Sequence, residues 1–225
     1  MFKNFIFCVT AVFLTLGGAG LFIPMRGPWV DWAVSRFLSG KIGLESCCVN
    51  ARIAAWSEVS FDRMSAGGDS KNVLWDTEKG EIRFGPRPFL AVSVKELRLF
   101  RRLLREPFLE SLPISRGLQG DVLIRQLTAL WSGNHLSGTL HLLECLSDDF
   151  GLRGGAKWGN GRLIKAYFYF SLSPEKSKKI PAEISRRMIP LKNGWVGTRI
   201  IYSQNELTMS GLRGPLFQAK WHEAP

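Results

Sequence analysis

The sequence predicts a mainly β protein: an N-terminal transmembrane helix and an amphipathic helix, then a twisted antiparallel β-meander with one inserted short helix. Three observations carry this. An uncharged apolar run, Phe5 to Ile23, opens the chain. A segment with helical spacing and helix-terminal residues follows it. From residue 41 onward the apolar period becomes two, with Gly, Asn and Pro between the runs.

At about 1.5 Å rise per residue, the run from Phe5 to Ile23 just spans a hydrocarbon core. Lys3 precedes it and Arg26 follows it, a balance that favours a cytoplasmic N-terminus and a body on the far side of the membrane. A cleaved signal peptide competes, because Gly17-Gly-Ala-Gly20 is small enough for a cleavage region. The apolar run continues through Leu21-Phe-Ile23, which favours an uncleaved anchor. The expected organisation is therefore a tip and anchor over 1–26, a juxtamembrane helix over 27–40 and a β-rich domain over 41–225.

Pro28 suits a first helical turn and Gly40 a helix stop, so a helix is expected between them. Asp31, Ser35 and Ser39 fall four apart on one face. Trp29, Trp32 and Phe37 are candidate membrane-interface residues, since tryptophan settles at the headgroup level. Arg98, Arg101, Arg102 and Arg105 interleave with Leu99, Phe100, Leu103 and Leu104. They make a second interface candidate if this strand runs on into an amphipathic helix; the equal alternative is an ordinary solvated helix end.

The body reads as strands. Ile42 and Leu44 begin the alternation, and a turn is expected at Glu78-Lys-Gly80. Val122 and Ile124, then Leu140 and Leu142, lie on two further strands. Gly159-Asn-Gly161 marks a tight hairpin, and the next strand sets Ala166, Phe168, Phe170 and Leu172 on one face and Lys165, Tyr167 and Tyr169 on the other. Pro181 to Ile189 has helical spacing and Pro190 ends it. Asn205 and Gly214 mark the last turns. A meander of this kind closes as a partial barrel or stays open as a groove, and the sequence leaves both open. In either form Val122, Ile124, Leu140, Leu142, Ala166, Phe168, Phe170 and Leu172 are candidates for an apolar, lipid-binding groove or for a plain core.

The chain has 30 Lys+Arg against 19 Asp+Glu, a net charge of +11 that suits an anionic partner such as lipid headgroups. Nucleic acid is not expected, because the anchor puts the domain in another compartment. No catalytic constellation is legible: Asp148 and Asp149 point to opposite faces of a strand, and Ser132 with His135 lacks a third group. No metal site and no cofactor are expected, because His135, His141 and His222 have no ligand spacing with cysteine. Cys47 or Cys48 could pair with Cys145 in an oxidising compartment; equally, vicinal cysteines on a strand leave one side chain buried and one exposed.

The order of elements resembles the N-terminal module of the AsmA-like family, which includes TamB. The resemblance rests on the anchor, the helix Trp29 to Leu38, and Gly40-Lys-Ile-Gly-Leu44 leading into a strand. It continues through Trp56 to Phe61, Val73-Leu-Trp75, Glu81 to Phe84, Phe89 to Leu99, and Leu207 to Leu216 at the end. The layout is also similar to the type II secretion system protein N, a compact inner-membrane component. The resemblance implies a periplasmic body on an inner-membrane anchor. It implies an apolar trough that handles phospholipid or another anionic lipid, or a structural subunit of a secretion or outer-membrane assembly machine.

Overall fold

The computed structural model describes residues 25–55, 57–67, 73–85, 89–100 and 120–220. The run from Phe5 to Ile23 lies outside these residues, as do Arg101, Arg102 and Arg105. Among the described residues, no helix is long and apolar enough to cross a membrane.

The chain opens with β1 (Met25–Arg26) and α1 (Pro28–Ile42). Next come β2 (Ser46–Val49), β3 (Arg52–Ala55), β4 (Glu58–Phe61) and β5 (Arg63–Gly67). Six longer strands follow: β6 (Val73–Phe84), β7 (Phe89–Leu99), β8 (Val122–Gly133), β9 (Gly138–Leu146), β10 (Phe150–Gly159) and β11 (Arg162–Leu172). A crossing segment holds α2 (Pro174–Ser177), α3 (Ala182–Arg187) and β12 (Ile189–Pro190). The last strands are β13 (Val196–Ser203), β14 (Glu206–Gly211) and β15 (Gly214–Lys220).

All described strands belong to one antiparallel sheet whose spatial order follows the chain from β3 and β4 through β6 to β11 and on to β15. β2 pairs with β5, so β2–β3 and β4–β5 form one long kinked hairpin beside β6. β1, which pairs with β3, and β15 stand at opposite ends of this order, so the sheet is open and not a closed barrel.

Several elements differ from the sequence expectation. α1 runs on to Ile42 and stops at Gly43, which adopts the left-handed conformation (φ 72°, ψ 14°) that glycine tolerates best. Gly40 lies inside the helix, and the first strand after it begins at Ser46. Glu78-Lys-Gly80 is not a turn, because β6 runs through it. The expected single helix over 181–189 is shorter, over Ala182–Arg187, and Ile189–Pro190 pair with β13 instead. α2 precedes it, started by Ser173, whose hydroxyl accepts from Lys176 N. The Asn160-Gly161 hairpin is as expected, with both residues at positive φ (53° and 73°) as a type I′ turn requires. The β13–β14 turn uses Gln204 and Asn205 in the same way (φ 52° and 62°).

A crease crosses the first half of the sheet. The core-facing residues of β6 are Thr77 and then Gly80, those of β7 are Leu97 and then Val94, and those of β8 are Ile124 and then Leu127. Each strand thus skips one pleat, where Lys79, Lys95 and Gln126 stand side by side in register. β4–β5 does the same between Phe61 and Met64, and β2–β3 between Cys48 and Ala51. Asn50 and Glu96 take positive φ (55° and 52°) to allow it. The carbonyl of Lys95 is freed at the crease, and the buried Thr77 hydroxyl donates to it at 2.6 Å. A buried hydroxyl is thereby satisfied at the point where the strand pattern is reset.

One face of the curved sheet carries the core. Val30, Val34 and Leu38 from α1 enter it at one side, and Ile180 and Met188 from the segment between β11 and β13 enter it at the other.

Candidate functional site

The inner face is organised in rows that run across the strands. In the central row, Ile53 faces Val59, Val59 faces Ile82, and Ile82 faces Val92. The row continues through Ala129, Leu143 and Gly154 to Phe168. Ile200, Met209 and Phe217 complete it. Every position is apolar, and the row crosses every strand from β3 to β15 on the main pairing path. At neighbour spacings of about 4.8 Å this is an apolar track of about 48 Å along the curve of the sheet.

Two parallel rows widen it. One joins Leu90, Trp131, Leu140, Ala156, Ala166 and Tyr202. The other joins Val94, Leu127, Cys145, Leu152, Phe170 and Thr198. Burial varies along the track: Val59, Ile82, Ala129, Gly154 and Met209 are closed over, whereas Ile53, Val92, Leu143, Phe168, Ile200 and Phe217 are only partly buried. The in-register apolar positions, interrupted as side chains only at Gly154, leave partly exposed members that an extended apolar ligand could touch.

Of the eight groove candidates, Val122, Ile124, Ala166, Phe170 and Leu172 are buried at 9% exposure or less, and Leu140 and Phe168 are half-buried on the same face. Leu142 is on the other face. A bulge in β9 at His141–Leu142 lets Leu140 face Trp131 and Leu143 face Ala129, while Leu142 faces Leu130 outside. Strict alternation from Leu140 therefore put Leu142 on the wrong side and missed Leu143. Val92, Leu127, Trp131, Ile200 and Phe217 also line this face; Val92 and Leu127 fall in alternating runs, whereas Leu130, Ile201 and Leu216 beside the other three hide the phase.

On α1, Trp29 and Trp32 are exposed, and Phe37 is 40% exposed with its ring edge against Phe84 at 5.4 Å. Arg98 lies on strand β7, exposed on the outer face opposite Asp76. It borders a polar depression of about 410 Å³ with Asp62, Arg63, Glu78 and Glu96. A second outer depression, of about 240 Å³, lies over Gly151 and Gly197 between Leu146 and Leu191.

Ser132 Oγ meets His141 Nε2 at 3.0 Å, whereas His135 Nδ1 lies 3.2 Å from Gly40 O, so Ser132 and His135 do not form a pair. Among the described residues, no cluster of His, Cys, Asp or Glu is placed to hold a metal ion. Cys47 is exposed, Cys48 and Cys145 are buried, and all three are free thiols. Burial pushes the Cys48 and Cys145 thiols up to about 12. No family model, no curated protein and no solved structure matches the chain.

Proposed function

We propose that the chain is a membrane-anchored envelope-biogenesis protein of AsmA-like type. Its body lies on the periplasmic side of the inner membrane and binds or guides phospholipid along the inner face of the sheet, without chemistry of its own. The observation that carries this reading is the central row, in register and apolar from Ile53 to Phe217, with partly exposed members at Val92, Leu143, Phe168, Ile200 and Phe217. An acyl chain in water costs about 0.8 kcal/mol per methylene, so a track of this length lowers the barrier to moving lipid through an aqueous space. The excess of Lys and Arg favours an anionic headgroup.

A photo-crosslinking residue at Phe168 in the full chain, in cells, is expected to capture phospholipid, detected by mass spectrometry; the same residue at Leu142 is not. Equal capture at both positions, or none at Phe168, rejects the track.

A second reading is a structural subunit of a secretion or outer-membrane assembly machine, similar to type II secretion protein N. The burial of five of the eight groove candidates favours it, because those side chains already belong to the packed core. It predicts a lipid-free, stable protein that purifies with a protein partner.

A further inference from the structure

The fold brings three distant segments into one belt. α1 starts beside β3, passes the end of β6 at the Phe37–Phe84 contact, and reaches the β8–β9 hairpin. There Lys41 Nζ donates to Gly133 O at 3.2 Å. That hairpin in turn holds the β10–β11 hairpin: Gly161 N–H donates to Leu136 O at 2.8 Å, and Trp158 Nε1–H donates to Asn134 O at 2.6 Å.

Large apolar side chains stand out along this belt. Trp32 is 70% exposed, Trp29 and Leu136 are each 55% exposed, and Ile164 is 51% exposed. Trp29, Trp32 and Arg36 share one stripe of α1 by their spacing. The belt is also basic. Residues 26–42, 133–137 and 157–165 hold Arg26, Arg36, Lys41, Lys157, Arg162 and Lys165. Their one acid, Asp31, accepts the Ala51 N–H at 2.6 Å and is committed to the sheet edge. Lys157 and Lys165 face each other directly across β10 and β11, which is unfavourable unless an anion lies between or above them.

We propose that this belt seats on an anionic bilayer, with the β8–β9 and β10–β11 hairpin tips making a second membrane contact beside α1. The proposal rests on the membrane-anchored reading, since the apolar run that ends at Ile23 would leave the bilayer where the belt begins, next to β1. A bilayer fits better than a protein partner. The apolar groups are single side chains on separate tips, interleaved with cations, whereas a protein interface has a contiguous core depleted in charge. Tryptophan at the headgroup level and lysine or arginine over anionic lipid are the expected pairing.

The test uses the full chain in nanodiscs of phosphatidylcholine, with and without phosphatidylglycerol. Spin labels go on cysteines introduced by Leu136→Cys, Ile164→Cys and, at the distant β14–β15 turn, Leu212→Cys. The background is Cys8→Ala with Cys47→Ser. Labels at 136 and 164 are expected to collide more with oxygen and less with a water-soluble nickel chelate than the label at 212. Phosphatidylglycerol is expected to increase the difference. Lys157→Glu with Lys165→Glu is expected to abolish that increase, and its persistence overturns the electrostatic part. A chain that enters the discs but leaves 136 and 164 as water-exposed as 212 overturns the belt alone. A chain that does not enter the discs overturns the anchored reading and the belt with it.

Discussion

The Ser35 hydroxyl accepts the Cys48 N–H at 2.8 Å while donating its own proton to Asp31 O at 2.6 Å. Its neighbours on the same stripe act alike: Asp31 Oδ1 accepts from Ala51 N at 2.6 Å, and Ser39 Oγ accepts from Ser46 N at 3.0 Å. Four helical residues rise about 6.0 Å, close to the two-residue repeat of about 6.6–6.8 Å along a strand edge. The step from Cys48 to Ala51 spans three residues but stays in phase, because Asn50 turns aside at φ 55°. The helix thus satisfies a strand edge that would otherwise invite pairing with another chain.

Asp31→Ala should therefore leave the Ala51 N–H without its charged acceptor and lower stability by about 1.5–3 kcal/mol, whereas Ser35→Ala should cost about 1 kcal/mol. Urea midpoints of the two variants check this, and an Asp31→Ala midpoint equal to wild type would refute the edge-capping role. Replacing Asp31, Ser35 and Ser39 together by Ala should add concentration-dependent association, read by light scattering.

The thiols should react in sequence. Of the described cysteines, Cys47 alone should alkylate in the native protein, with Cys48 and Cys145 following only on unfolding. Both buried thiols are pushed up to about 12 from an ordinary value of 9.0. The folded state holds these protons more tightly than the unfolded chain. Their contribution to stability is therefore complete below 9.0 and is lost as pH rises toward about 12. Cys48→Ala with Cys145→Ala should flatten the alkaline fall of the urea midpoint relative to wild type.

Two glycines of the inner face should respond differently to alanine. A Cβ at Gly80 would press on the Phe61 ring and lie 2.8 Å from Val94 Cγ1, both side-chain atoms. A Cβ at Gly154 would lie 2.7 Å from Phe168 Cα, which is backbone. Gly80→Ala should cost about 1–3 kcal/mol as an overpacked site and recover in part when combined with Phe61→Leu. Gly154→Ala should cost more, with no rescue by Phe168→Leu. Melting temperatures of the four variants decide it.

The β9 bulge makes a sharp pair. Leu143→Asp places a carboxylate in the apolar row and should cost roughly 2 kcal/mol or more, whereas Leu142→Asp on the outer face should cost less than about 1 kcal/mol. Equal losses in urea denaturation would contradict the register across β8 and β9.

Much of the second half of the sheet was legible in the sequence. Ala166, Phe168, Phe170 and Leu172 do share the inner face, and the turns at Asn160-Gly161 and Asn205 stand where expected. These features depend on period-two alternation and on residues that tolerate positive φ, both set within a few residues. Leu142 and Glu78-Lys-Gly80 depart from the sequence expectation for one reason: a bulge or crease resets the alternation, and its place is fixed by the neighbouring strands.

The sequence by itself determined that strands dominate, that a helix starts at Pro28, and that Asp31, Ser35 and Ser39 share a stripe. Only the tertiary structure decided what that stripe does. Its acceptors gain meaning when the N–H groups of Ser46, Cys48 and Ala51 arrive beside them. The same holds for the apolar track. Each strand supplies at most one position to each row, and a row across the sheet arises from the register of one strand on the next. That register is set by long-range hydrogen bonding and burial, which no local pattern encodes.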